Sequence, residues 1–449
     1  MKRKVYNTLL KWKENKDGTA LMLEGARRIG KSYIAEELGR NEYRTYLKID
    51  FSIAPEEVFD LFDHYLHDLD SLFERMQVFY GVKLHPGESL LIFDEIQFCP
   101  KARAAIKHLV ADGRYDYIET GSLISIKKNV KDILIPSEER TIEMYPMDFE
   151  EFLWAMGEDM LMPFIRMQFE NKKPMGSALH RKAIELFRTY MIIGGMPQAV
   201  LKYAETRDFD SVDAVKRAIL DLYRKDIRKY ADGEQLRVTA IFDELPGQLQ
   251  RHDRRFRLSS LSDNARMREY ADAFFWLSDA GIINCCYNSS APSLGLRLNE
   301  SRTTLKCYMG DTGLLISMAF DEHGEEIREV YRKLILGKLE VNTGMLVENI
   351  VAQMLRCAGH KLYFFAQGDN DDASNRMEID FLISKSRITS RHNITPIEVK
   401  SSARYTLSSI RKCVDKFGTY LSTPIVLHDK DLSESDGILY LPLYMTSLL

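Results

Sequence analysis

Residues 20–32 have the sequence ALMLEGARRIGKS, a short apolar run followed by two glycines that are four residues apart. Lys31 and Ser32 directly follow the second glycine, which completes the order Gly-x-x-x-x-Gly-Lys-Ser. The apolar run predicts a strand, and residues 33–38 (YIAEEL) predict a helix. Glycines let the backbone wrap tightly, so that successive N–H groups and the positive end of the helix point at one anion. The stretch therefore predicts a loop that binds the phosphates of a nucleoside triphosphate.

The loop residues have separate expected roles. Lys31 is expected to reach the terminal phosphates, and Ser32 to offer its hydroxyl to Mg²⁺. The alternative is an accidental Gly-Lys turn, but average composition gives only about 0.01 chance matches in a chain of this length. The predicted nucleotide contacts in the loop are Gly25, Arg28, Ile29, Gly30, Lys31, Ser32 and Tyr33.

A second motif lies in residues 89–95, SLLIFDE. An apolar run that ends in two acids is typical of a buried parallel strand whose C-terminal end reaches a phosphate site. We expect Asp94 to hold Mg²⁺, directly or through water, and Glu95 to polarise the attacking water. The alternative is a strand that merely ends in a solvated acidic turn.

Other segments extend this pattern to a parallel α/β sheet, because strands alternate with helices. Predicted strands cover residues 46–51, 115–122 and 140–145, and predicted helices cover residues 55–80 and 102–110. The predicted strand 115–122 ends in Thr120-Gly121-Ser122. A hydroxyl there could hydrogen-bond the attacking water near the γ-phosphate, or it could form a helix cap or turn. Thr120 is included among the predicted nucleotide contacts.

Composition restricts the class of protein. The 449 residues are enough for two to four domains, and the net charge of −4 gives no global basic field for nucleic acid. The six cysteines show no metal-ligand spacing and predict thiols in a reducing compartment. No apolar run approaches the ~20 residues of a membrane span, and charged residues interrupt any signal-peptide core. We expect a cytoplasmic protein without membrane partners.

Beyond the nucleotide motifs, several segments together make the chain resemble a family of prokaryotic AAA-type ATPases with a C-terminal domain of uncharacterised function. These segments are Gly25–Ser32, Leu90–Glu95, Thr120–Ser122, Tyr145–Phe152, Gly194–Pro197, Gly310–Leu315, Glu348-Asn349 and Glu378–Lys400. The resemblance covers nearly the whole chain. One departure is Gln198, where a glutamate is expected after the Gly-Gly-x-Pro turn.

The resemblance implies the α/β architecture of a P-loop NTPase with three further parts and ATP with Mg²⁺ as cofactors. The expected domains are an AAA+-like core (1–150), a helical lid (151–235), a winged-helix-like module (236–335) and a restriction-endonuclease-like α/β domain (336–449). Such folds commonly complete their site with an arginine from a neighbouring subunit. Arg140 and Arg27 are the candidates, so a homo-oligomer is one expectation.

A segment in the third part carries the signals of a DNA-binding module. Residues 266–280 predict an amphipathic helix, Gly281 ends it, and residues 282–287 predict a strand, as in a winged helix. The preceding stretch 251–257, RHDRRFR, is locally basic and suited to backbone phosphates. In ATPases such a module equally often packs against protein, so DNA contact and protein packing both remain open.

The last hundred residues hold a second set of charged residues. Two predicted strands contain Glu378 with Asp380 and Glu398 with Lys400, and side chains two residues apart share one face. If the strands are adjacent, their charged groups converge. Two carboxylates can then hold Mg²⁺ while a lysine orients water.

The arrangement resembles restriction-endonuclease-like nucleases, with Glu348 as a third acid carried by the helix 344–358. Glu348, Asp380 and Glu398 are then expected metal ligands, and Asp380, Glu398 and Lys400 the catalytic residues. The alternative is an ordinary half-buried strand pair with charged residues facing outward.

Three functions follow from these motifs. The first is an ATP-driven switch that acts on the nuclease-like domain. The second is an ATP-gated DNA-binding or scaffold protein with an inactive nuclease fold. The third is metal-dependent DNA cleavage gated by ATP. Glu95 separates the first two, because a pure binding switch does not need a carboxylate that activates water.

Overall fold

The computed structural model describes residues 1–15, 17–121, 138–231, 233–251, 253–293, 295–320, 325–339, 343–367, 376–384, 392–402 and 404–449. They form two compact units, Met1–Tyr145 with Asp279–Gly281, and Pro146–Ser278 with Ile282–Leu449. Ser122 and His252, which the sequence analysis names, lie outside the described residues. All six cysteines are free thiols. Within the described ranges, none of the helices combines the length and apolar character that crossing a bilayer requires.

The first unit alternates helices and strands, as the motif order predicts. Its elements are α1 (Val5–Asn15), β1 (Ala20–Glu24), α2 (Lys31–Glu42), β2 (Thr45–Asp50), α3 (Glu56–His64), α4 (Leu69–Tyr80), β3 (Ser89–Asp94), α5 (Pro100–Asp112), β4 (Asp116–Thr120) and β5 (Glu139–Glu143). The helical tract expected over residues 55–80 consists of two helices, α3 and α4. The Asp68 side chain accepts the backbone N–H of Ser71 and starts the second helix there.

The sheet of the first unit has the order β2-β3-β4-β1-β5, and all its described neighbours pair in parallel. Every residue of β3 is buried, which matches its apolar sequence. Rings of Phe51, Phe62 and Phe93 meet edge-on beside the sheet. Because β1, β4 and β3 are neighbours, their carboxyl ends bring the glycine loop, Thr120 and the Asp94-Glu95 pair to one edge.

The second unit begins with a helical region. Its helices are α6 (Phe149–Ala155), α7 (Leu161–Glu170), α8 (Ser177–Ile193), α9 (Pro197–Thr206), α10 (Phe209–Tyr230), α11 (Gln235–Gln250) and α12 (Met267–Asp279), followed later by α13 (Thr312–Ala319), α14 (Glu325–Ile335), α15 (Thr343–Cys357) and α16 (Ser408–Phe417). Asp148 and Glu151 form a capping box that starts α6. Gln198 lies exposed in the first turn of α9.

One mixed sheet contains the described strands of the second unit. They are β6 (Ile283–Ser289), β7 (Glu300–Met309), β8 (Tyr363–Gln367), β9 (Met377–Ser384), β10 (Ile394–Val399), β11 (Ile425–His428), β12 (Ser433–Ser435) and β13 (Ile438–Pro442). Their order is β12-β13-β11-β10-β9-β8-β6-β7. β6 pairs antiparallel with β7 and parallel with β8, so the strand predicted at residues 282–287 belongs to the same sheet as the strands of the last hundred residues.

Two glycine-containing motifs of the second unit meet at Asp311, which is 2% exposed. Its carboxylate accepts the backbone N–H groups of Gly195 and Leu314 at 2.5 and 3.0 Å. A Cβ at Gly194, whose φ is +81°, would overlap this carboxylate. The carbonyl of Gly195 in turn accepts the N–H of Met147. The Gly-Gly-x-Pro turn therefore acts as a buried packing junction.

Candidate functional site

The glycine loop of residues 25–30 joins the end of β1 to the start of α2. Gly25 has a φ of +137°, and a Cβ there would overlap the carbonyl oxygen of Met144. Gly30 lies at the N-cap of α2 with a φ of +92°, in the left-handed region that favours glycine. The two glycines of the motif are thus required by backbone conformation, and by close packing at Gly25.

Lys31 points back over this loop. Its Nζ donates hydrogen bonds of 3.0 Å to the carbonyl oxygens of Gly25 and Ala26. Burial lowers the pKa of Lys31 to about 8, although the nearby carboxylates of Glu95 and Asp94 act in the opposite direction. A buried ammonium that donates to neutral carbonyl oxygens is well placed to bind an anion that enters the loop.

Ser32, Asp94 and Thr120 form a hydrogen-bonded group at the edge of the sheet. The Ser32 hydroxyl donates a 2.6 Å hydrogen bond to Oδ1 of Asp94, and the Thr120 hydroxyl donates to the same oxygen. Asp94 is 3% exposed. The structure therefore brings together three residues that the sequence predicts for one site.

Lys48, on β2, also contacts Asp94. No role for it was predicted from the sequence. Its Nζ lies 3.0 Å from Oδ2 of Asp94 and 2.7 Å from Oε1 of Glu36. Burial opposes the charge of Lys48, but hydrogen bonds and attraction from both carboxylates outweigh it and raise its pKa. A lysine between the buried apolar residues Leu47 and Ile49 is the signal that could have identified it.

Glu95 follows β3 in a left-handed conformation, with a φ of +53°. This conformation is costly for a side chain larger than glycine and is concentrated at functional sites. The Glu95 backbone N–H donates to the Thr120 hydroxyl at 3.3 Å. Nε2 of Gln97, a second residue that the sequence did not single out, donates to Oε2 of Glu95 at 2.5 Å. The Thr120 contact holds the Glu95 backbone, and the Gln97 contact orients its partly exposed carboxylate.

The remaining predicted nucleotide residues differ in their exposure. Ile29 is buried, and its carbonyl accepts a 2.8 Å hydrogen bond from Arg3. Tyr33 is half exposed, and its hydroxyl accepts a hydrogen bond from the N-terminal amine at 2.9 Å. Arg28 is exposed, as are the candidate arginines Arg27 and Arg140. Because both Arg27 and Arg140 are exposed, their exposure does not show which of them would complete a neighbouring site.

The residues at this edge fit Mg²⁺. Magnesium prefers hard oxygen ligands and usually keeps several waters in addition to substrate phosphates. The Ser32 hydroxyl and the Asp94 carboxylate supply such oxygens next to the loop. Across the described ranges no group of three or more His, Cys, Asp or Glu side chains is arranged to hold a metal ion. A single carboxylate with a hydroxyl is nonetheless the usual protein contribution for magnesium bound with a nucleotide.

Asp380 lies on β9, and Glu398 lies on the adjacent strand β10, as the pattern predicts. Lys400 directly follows the end of β10. β9 and β10 pair antiparallel, and the backbone N–H of Val399 donates to Oδ2 of Asp380 at 2.8 Å. Nζ of Lys400 lies 2.6 Å from Oε2 of Glu398. Burial raises the pKa of Glu398, against the opposing effect of Lys400. The expected catalytic residues are therefore neighbours, with Lys400 bound to one of the acids.

Glu348, the expected helix-borne acid, is almost fully buried in α15. Its carboxylate pairs with Arg254 and accepts the Tyr308 hydroxyl at 2.5 Å. Lys306 on β7, which the sequence analysis missed, lies 3.3 Å from Oε1 of Glu348 and 2.8 Å from Oε1 of Glu378. A lysine within the apolar segment LKCYM was the available signal.

Carboxylates face the described arginines of the basic stretch 251–257. Arg255 and Arg257 lie 2.7 and 3.2 Å from Oδ2 of Asp253. Hydrogen bonds from Arg255 hold the pKa of Asp253 well below its usual range. Arg251 pairs with Glu244 at 3.5 Å. Much of the positive charge of this stretch is neutralised within the chain.

A protein-family model matches the part of the chain that contains the predicted nucleotide-binding motifs. Residues 17–153 match the model of an AAA domain, which contains the glycine loop, Asp94, Glu95 and Thr120. Residues 17–153 therefore form an AAA domain. This match confirms the predicted P-loop fold of the core and supports ATP binding and hydrolysis by it. Residues 184–323 and 343–445 match two domains of unknown function, DUF8612 and DUF4143.

Several solved structures share a likeness with the chain. One is a Walker-type ATPase of Pyrococcus abyssi, with 14% sequence identity and a TM-score of 0.41. The match covers 71% of this chain and 96% of the ATPase chain. PCH-2 of C. elegans is 13% identical with a TM-score of 0.24, covering 50% and 66%. Hsp104 with ATPγS and casein is 12% identical with a TM-score of 0.28, covering 64% and 52%. No curated protein matches the chain.

Proposed function

We propose that this protein is a Mg²⁺-dependent ATPase in which the residues around Asp94 bind and hydrolyse ATP. The observation that carries the proposal is the pairing of Ser32 with Asp94 at the carboxyl edge of the sheet. Lys31 precedes Ser32 at the start of α2, and Glu95 follows Asp94 directly. Phosphoryl transfer needs positioned cations near the phosphates and a group that orients water, and this arrangement supplies candidates for both.

Each residue around Asp94 has a separate role in this proposal. Lys31 binds the terminal phosphates, and Ser32 and Asp94 hold Mg²⁺, which neutralises charge on the phosphates when bound. Glu95 orients the attacking water and takes up its proton, assisted by the position of Thr120. The glycine loop supplies backbone N–H groups to the phosphates. Arg140 or Arg27 of a neighbouring subunit completes the site if the protein forms oligomers.

Calorimetric titration of ATP with Mg²⁺ tests the nucleotide assignment. Lys31→Ala should weaken ATP binding by at least about tenfold, the lower end of what a charged hydrogen bond contributes. Lys11→Ala, a change at an exposed lysine of α1, is the matched control and should bind like the unaltered protein. Equal affinity of the Lys31→Ala protein would refute the assignment.

We further propose that ATP turnover acts as a switch on the second unit. The support is the presence of one ATPase domain together with a large second unit whose family matches assign no activity. We assign residues 151–235 to a lid, 236–335 to a winged-helix-like module and 336–449 to a nuclease-like fold. We do not propose that residues 251–257 bind DNA, because described arginines of this stretch pair with acids of the chain.

Hydrogen exchange measured with and without ATPγS tests the switch. Nucleotide should change protection of backbone amides within residues 146–278 or 282–449, and Lys31→Ala should remove the change. Identical exchange of the second unit in both states would limit the role of ATP to the AAA domain.

A further inference from the structure

The metal that a restriction-endonuclease-like site implies does not fit the residues present in the second unit. Lys306 lies between two of the expected ligands, Glu348 and Asp380. The third, Glu398, pairs with Lys400. Lys306 is 1% exposed, and its Nζ lies 3.3 Å from Glu348, 2.8 Å from Glu378 and 3.7 Å from Asp380. Arg254 pairs with the other oxygen of Glu348. We refer to Lys306, Arg254, Glu348, Glu378 and Asp380 as the Lys306 cluster.

We infer that Lys306 replaces a divalent cation in this cluster, so that the carboxylates serve as a fixed ionic junction and bind no catalytic metal. Three carboxylates face two cations, which leaves a formal charge of −1 in place of −3. The attraction for a dication falls accordingly, because an ammonium ion lies among the oxygens that would bind it.

The remaining contacts of the cluster also favour a fixed junction. The Tyr308 hydroxyl donates to Oε1 of Glu348 at 2.5 Å, and the Val399 N–H donates to Oδ2 of Asp380 at 2.8 Å. Lys306 also lies 5.1 Å from the centroid of the Phe364 ring, a favourable cation–π distance. A metal would have to displace a buried lysine from three carboxylates and one aromatic ring.

The junction joins elements that are far apart in sequence. Lys306 is on β7, Glu348 is on α15, and Glu378 with Asp380 is on β9. Arg254 lies between α11 and α12. Since breaking a buried ion pair leaves an uncompensated charge, loss of Lys306 would leave carboxylates that can accept another cation.

Manganese binding to the nucleotide-free full chain tests this inference. An Asp94→Asn background removes the carboxylate of the ATP site, and the amplitude of the free Mn²⁺ resonance reports binding. With Lys306 intact, we expect no manganese bound at the cluster up to about 1 mM, the weak end for biological cation sites. Lys306→Met should create one manganese site that Asp380→Asn abolishes, while Lys306→Arg should create none.

Two results would overturn the inference. One is manganese binding with Lys306 intact that is lost when Asp380→Asn is added. The other is a folded Lys306→Met protein that gains no manganese site, because the ammonium would then not be what excludes the metal. Circular dichroism reports folding, and Lys306→Gln replaces Lys306→Met if the latter does not fold.

Discussion

The Ser32 hydroxyl and Oδ1 of Asp94 are joined by a 2.6 Å hydrogen bond across 62 residues of sequence. The bond links the first turn of α2 to the end of β3. It places an alcohol and a carboxylate, both ligands that magnesium accepts, beside the loop that is proposed to bind phosphates.

Replacing Asp94 with asparagine tests the magnesium part of the proposal. Asp94→Asn removes the negative charge that attracts the metal, so the magnesium concentration for half-maximal ATP hydrolysis should rise at least about tenfold. Asp50→Asn is the matched control, because Asp50 pairs in register with Asp94 on the next strand but binds Ser52. A phosphate-release assay over a magnesium series measures both. An unchanged magnesium requirement in Asp94→Asn would remove Asp94 from the site.

Lys48 is expected to position Asp94. Lys48→Met should lower the turnover number several-fold, because Oδ2 of Asp94 loses its partner at 3.0 Å. It should also lower the magnesium concentration for half-maximal activity, because a competing cation is gone. Lys48→Arg should restore turnover in part. A merely structural lysine would affect turnover and leave the magnesium requirement unchanged, and that result would contradict the positioning role.

The pKa of Lys31 predicts a proton linked to ATP binding. In the nucleotide-free protein, burial lowers this pKa to about 8, so the side chain is partly neutral at pH 8 and above. Phosphate stabilises the charged form and raises the pKa, so binding should take up a proton. Affinity should fall as pH rises above about 8, by up to about tenfold per unit. Calorimetry in buffers of different ionisation enthalpy detects this uptake, and a heat independent of buffer at pH 8.5 would contradict it.

Gly194 offers a stability prediction for the junction at Asp311. Gly194→Ala should cost about 1–3 kcal/mol from overlap with the Asp311 carboxylate, added to about 1–2 kcal/mol from the positive φ. Gly157 has the same φ of +81° and nothing within 4 Å of an added Cβ. Gly157→Ala should therefore show only the smaller backbone cost. Denaturant unfolding compares the two proteins, and equal losses of stability would contradict the packing role of Gly194.

The core motifs of the first unit are local in sequence, and for that reason they were predictable. The apolar strand ending in Asp94-Glu95 and the loop ending in Lys31-Ser32 specify their own backbone. The alternation of helices and strands predicts a parallel sheet, and the carboxyl ends of parallel strands lie at one edge of the sheet. The structure bears out the strands β1 to β5 near the expected residues.

The partners that cross between strands were not predictable in the same way. Lys48 contacts Asp94 because β2 lies next to β3, and Lys306 contacts Glu348 across 42 residues. Neither pairing follows from the spacing of the residues along the chain. The expectation of free metal-binding acids depended on Glu348, Asp380 and Glu398 alone, and the cations that pair with them belong to other segments.

The proposal that this chain hydrolyses ATP is tested most directly by phosphate release from the Glu95→Gln protein, with ATP affinity measured in parallel. Glutamine keeps the shape of the side chain and its hydrogen bond to Gln97 but cannot take up a proton. The account predicts unaltered ATP binding with phosphate release slowed at least about 100-fold, while Glu56→Gln, at an exposed position of α3, releases phosphate at the normal rate. Undiminished phosphate release by Glu95→Gln would contradict the account.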